Sequence, residues 1–185
     1  MNIADRMRVA PRVLFGPRRP VEAGTSAPPR FTTLLLIAAG LALVQTVLAH
    51  AWTLRGAQPS PLTVLIVWTG LRCGSTTGGW LGFCAGALED ALGGGGTYVV
   101  ASAAVGFLAG LFSSRFFADS LVAITSAVAA GTIVRNAITY VVLETALGER
   151  GVYHRLAHAT AWEVLLNCGI AVIALLVARW WSSRR

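Results

Sequence analysis

The stretch Gly70–Gly110, GLRCGSTTGGWLGFCAGALEDALGGGGTYVVASAAVGFLAG, decides the fold. Its apolar patterning predicts two helices, Thr77–Leu92 and Thr97–Phe112, turned back on each other at Gly93, Gly94, Gly95 and Gly96. Four glycines in a row cannot propagate a helix cheaply, so they mark the turn. Small residues recur at every fourth position on both helices: Gly78, Gly82 and Gly86 on the first, Ser102, Gly106 and Gly110 on the second. Such a stripe weakens a helix in water. Between membrane helices it lets two backbones approach closely enough to pack by contact alone, so these six residues are expected at a helix-packing or partner-contact face. Glu89 and Asp90 sit at the turn, at the end of a segment otherwise suited to lipid.

Outward from this hairpin the chain remains apolar. It is 55% hydrophobic and 12% charged, with apolar runs too long for the core of a soluble domain of 185 residues. Phe31–Ala51, Ser120–Leu143 and Ala159–Ala178 are each long enough to span a bilayer core of about 30 Å. Pro61–Leu71 is short for a span and is expected to tilt or to cross as part of a packed bundle. Counting it gives about six transmembrane helices over residues 31–181, an all-α integral membrane protein. Residues 1–30 form a flexible basic, proline-rich cytoplasmic tail, and residues 182–185 a basic cytoplasmic end.

The net charge of +7 comes entirely from arginine, since the chain has no lysine. The arginines lie in the tails and short loops, without the aromatic interleaving or single basic face of a nucleic-acid binder; anionic lipid is the simpler partner. An even number of spans puts both termini on one side. The basic tail, Arg72, Arg115 and the C-terminal arginines would then be cytoplasmic, and Glu89, Asp90, Glu144 and Glu149 external. The first apolar run starts only near Phe31, so a cleaved signal peptide is not expected.

Arg135, beside Asn136, falls inside the span Ser120–Leu143. A guanidinium at that depth costs a few kcal/mol or more unless it is paired, hydrated or able to snorkel, so it should face the bundle interior; Asp90, Glu89 and Glu163 are the candidate partners, with Asp90 expected first and Glu163 next. His154 and His158, four apart, lack a third ligand at a suitable offset, so no metal site is expected. Cys73, Cys84 and Cys168 are odd in number and scattered, and should be small buried hydrophobes. Ser75, Thr76 and Thr77 are helix-cap candidates, with no neighbouring base to make a nucleophile of them. The glycine run lacks the Lys-Ser/Thr of a phosphate loop. No catalytic residue and no cofactor is expected.

Taken together, the proline-led apolar segment ending in LR, the helix GWLGFCAGALEDALGGG with its acid before the glycines, and the following helix ending AVGFLAG resemble the rod shape-determining membrane protein MreD family. The resemblance implies a six-helix bundle like the substrate-binding S component of energy-coupling-factor transporters. It also implies a non-enzymatic subunit of the bacterial inner membrane that helps organise peptidoglycan synthesis. The implied partners are an MreC-like scaffold and, through it, an MreB-like filament and the peptidoglycan synthases. The long basic tail, the extra acid Glu89 and the four-glycine turn depart from the family pattern. The competing reading is an S component that captures a vitamin or metal ion from outside, with Arg135 and Asp90 in its pocket and Ala38 and Ala42 against an energising module.

Overall fold

The computed structural model describes residues 30–48, 56–93, 95–112, 120–146, 148 and 152–184. The tail before Arg30, His50, Trp52, Arg55, the Arg115–Asp119 loop and Glu149–Arg150 lie outside the described residues, as do the side chains of His154 and Arg155. The described residues form six α-helices and no strand: α1 Phe31–Leu48, α2 Pro61–Cys73, α3 Ser75–Gly93, α4 Tyr98–Phe112, α5 Leu121–Ala146 and α6 Val152–Ser182.

Local chemistry sets the boundaries. Ser60 caps α2, its hydroxyl accepting from the Thr63 amide at 3.4 Å, and Pro61 fills the first helical position, where its missing N–H costs nothing. Gly74 breaks α2 from α3 with a φ of +89°, a left-handed conformation open to glycine. Ser75, Thr76 and Thr77 therefore form the first turn of α3, which begins two residues earlier than the sequence suggested.

The hairpin α3–α4 is the tightest contact in the molecule, and the glycine stripes make it. A Cβ at Gly82 would run into the Ser102 carbonyl, one at Gly106 into the Gly78 carbonyl, and one at Gly110 into the Ser75 backbone. At Gly86 it would lie 2.6 Å from the Tyr98 carbonyl. The six small residues thus face one another and are all buried, so their packing role is internal; as a face for a partner they are already covered.

α2 lies at the centre and touches all five other helices. Two apolar clusters flank it: Leu34, Ala38 and Ala42 of α1 with Leu62, Ile66, Leu81 and Ala85 on one side, and Val64, Val67, Val105, Ile124, Val128 and Ala171 on the other. Ala38 and Ala42 are wholly buried there, which removes them as a surface for an energising module. The three cysteines are free and half-buried, more open than expected.

By length and composition, α5 and the Ala157–Trp181 part of α6 are long and apolar enough to cross a membrane. Helix lengths do not support six separate spans: the 13 residues of α2 and the 15 of α4 rise only about 20 Å and about 22 Å, against a hydrocarbon core of about 30 Å. The outside of the bundle is apolar nonetheless. Leu36, Val47, Phe112, Val122, Leu165 and Ile173 are each more than 60% exposed.

Candidate functional site

The polar residues that a surface would normally hold are gathered inside. Arg135, on the buried face of α5 with Val128 and Thr132, is 4% exposed, and its pair Glu89, near the end of α3, is 8% exposed. One terminal nitrogen of the guanidinium, Nη2, donates to Glu89 Oε2. The other, Nη1, donates to Ser60 Oγ and to Thr63 Oγ1, both at 3.0 Å. The Tyr98 ring of α4 lies 4.8 Å from the guanidinium carbon, within cation–π range.

The network runs on to the remaining helices. Gln45 of α1 donates from Nε2 to Glu89 Oε1 at 2.9 Å. The Ser60 amide donates to Asn167 Oδ1 of α6 at 2.7 Å, and Asn167 Nδ2 donates to Thr132 Oγ1 at 3.1 Å. Side chains or caps of all six helices therefore meet around one arginine. Alongside, Asn136 Nδ2 donates to Glu163 Oε2 at 2.7 Å and to Thr160 Oγ1 at 3.3 Å, and the Tyr140 and Thr160 hydroxyls are 2.8 Å apart. Among the described residues, Arg135 Nε and the Thr139 hydroxyl are buried with no hydrogen-bond partner.

The expected pairing of Arg135 with Asp90 is corrected: the ion pair is with the adjacent acid, Glu89. Consecutive helical residues point about 100° apart, so only one of the two can face Arg135. Asp90 turns instead toward the glycine turn and caps α4. Its Oδ1 accepts from the Thr97 and Tyr98 amides and its Oδ2 from the Tyr98 and Val99 amides, each at 3.0 Å. These are the orphan donors of a helix N-terminus, whose dipole also favours a carboxylate. Glu163, the second candidate, approaches the cluster through Asn136.

Chemically, the arrangement ties helices together. A buried charge whose partner is removed is left uncompensated in a medium that cannot solvate it, so the pair holds α3 and α5 in one register. Arg135 and Asn136 stand out in the sequence, whereas Ser60, Thr63, Thr132 and Asn167 do not. The Pro59-Ser60-Pro61 cap was the available sign for Ser60; nothing in the spacing of the threonines or Asn167 sets them apart. An apolar groove of about 440 Å³ lies elsewhere, between the C-terminal halves of α2 and α4 and the first half of α5, lined by residues such as Leu71, Val105, Phe112 and Ala127. Comparison with known proteins finds no family model, no curated protein and no solved structure that matches this chain.

Proposed function

We propose that this protein is a non-enzymatic, multi-pass subunit of the bacterial inner membrane that binds a single-span scaffold partner of the cell-elongation machinery and helps organise peptidoglycan synthesis. The resemblance of Pro61–Gly110 to the MreD family supplies the biological role. The observation that carries the membrane part is the inversion of the bundle, with large apolar side chains outside and the Arg135–Glu89 network inside. Such an exterior suits lipid, and an interior of paired polar groups suits a helical bundle without water around it. On this reading the short helices α2 and α4 cross as members of the packed bundle, and both termini are cytoplasmic, with Arg30, Arg72 and Arg179 on the cytoplasmic side.

The transporter reading is less well supported. It calls for convergent polar groups around a ligand-sized space, whereas Arg135 and Gln45 are both hydrogen-bonded to Glu89, Asn167 is bonded to Ser60 and Thr132, and the 440 Å³ groove is apolar. The test is depletion of the protein in a rod-shaped bacterium that depends on it for growth, with tagged protein recovered from membranes. Rounding of the cells and recovery of a single-span scaffold with a large external domain are expected. Normal rods, together with a tight vitamin or metal ligand in a thermal-shift screen, would overturn the proposal in favour of transport.

A further inference from the structure

Arg135 is short of one bond. Its two terminal nitrogens reach Glu89, Ser60 and Thr63, but Nε, on a residue only 4% exposed, meets no acceptor among the described residues. One turn further along α5, Thr139 is 5% exposed and its hydroxyl is likewise unpartnered. At 100° per residue the two side chains leave the helix about 40° apart, on the same buried face. A threonine inside a helix has the carbonyl four residues back within reach. Thr46, Thr125, Thr132 and Thr145 all use it, at 2.6–2.9 Å. Thr139 does not, so its hydroxyl is turned off its own backbone and toward its buried neighbours.

Two enclosed groups of this kind have given up their hydration with nothing in return. Whatever joins them must accept from Nε–H, meet a hydroxyl, and be small. An anion would face two carboxylates: Glu89, already on the guanidinium, and Glu163, whose charge and that of Arg135 act on each other. A metal ion would face the guanidinium itself. A neutral molecule that both donates and accepts suits every group present. A buried water makes about three hydrogen bonds, so it also needs an acceptor for its own protons. Glu163 supplies one. Its Oε2 takes the Asn136 amide at 2.7 Å, whereas Oε1 receives no donor among the described residues. Asn136 sits beside Arg135 and three residues before Thr139, which brings this carboxylate to the same turn of α5.

Independently of the scaffold reading, we infer that one water molecule is held inside the bundle, accepting from Arg135 Nε–H, bonded to the Thr139 hydroxyl, and donating to Glu163 Oε1. Arg135 then serves two acids, Glu89 of α3 directly and Glu163 of α6 through the water. The second acid, which has no ion pair of its own among the described residues, is compensated in this way. The water ties α5 to α6 at the height where Asn136 already joins them.

The test uses purified full-length protein in phosphatidylcholine nanodiscs. Thr139→Val keeps the shape of the side chain and removes only the hydroxyl. A buried hydroxyl that bonds nothing is better replaced by a methyl group, so an idle Thr139 gives a thermal midpoint unchanged or raised. The water gives the opposite sign, a fall of about 4 °C, because Arg135 Nε and Glu163 lose their link. That fall should shrink by more than half in a Glu163→Met background, since the two side chains are coupled through the water. A midpoint that holds or rises in Thr139→Val, or falls equally with and without Glu163, would overturn the inference. A structure that resolves ordered water decides the matter directly. Density within about 3.2 Å of both Arg135 Nε and Thr139 Oγ1 is the expected result; a dry contact between them, or Nε bonded to a protein acceptor, is the contrary one.

Discussion

Arg135 and Glu89 are best understood as a pair whose value lies in being complete. Glu89→Ala leaves a guanidinium buried with two hydroxyls and an aromatic face, and should cost about 3–5 kcal/mol in a detergent unfolding titration. The double variant Glu89→Leu/Arg135→Met should recover most of that loss, because apolar residues of similar volume need no compensation. Asp90→Ala, one residue along, should cost only about 1 kcal/mol, the loss of a cap rather than of a buried charge. The depth of Arg135 was legible from its place in an apolar run; its partner was not, since neighbouring acids at a helix end look alike in sequence. The helical period held the clue. Counted at 100° per residue from Gly82, the middle of the buried stripe, Glu89 falls about 20° away and Asp90 about 80° away.

Among the elements, the α3–α4 hairpin carries the sharpest expectation. Gly82→Leu or Gly106→Leu drives a side chain into facing backbone and should abolish the cooperative thermal transition of purified protein, whereas Gly40→Ala and Gly169→Ala, where an added Cβ meets nothing within 4 Å, should leave it almost unchanged. The hairpin was readable because a fourfold stripe of small residues and a glycine turn have few other uses. What the stripe packs against was not readable, because a small-residue face suits a partner's helix and the chain's own helix equally well. The same ambiguity hid the role of Ala38 and Ala42, which close the core of α1. The short apolar run after Pro61 proved to be the central helix, a position that its length alone did not reveal.

At the scale of the molecule, large apolar side chains lie on the outside of the bundle, and a hydrogen-bonded polar network is buried between two apolar clusters. Two helices have the length and composition to cross a membrane, and the shorter ones lean on α2 for company. The polar network sits near the ends of α1 and α3 and the start of α2, the side assigned to the exterior in the proposed function, while Arg30, Arg72 and Arg179 lie at the opposite end. This polarity gives a direct test in intact cells, using a cysteine-free background and a maleimide that cannot cross membranes. Gly95→Cys, in the turn between α3 and α4, should be labelled from outside, and Arg30→Cys and Arg184→Cys only after the membrane is opened. Labelling of Arg30→Cys and Arg184→Cys in unopened cells, or a Gly95→Cys reached only from the cytoplasm, would contradict the arrangement on which the proposed function depends.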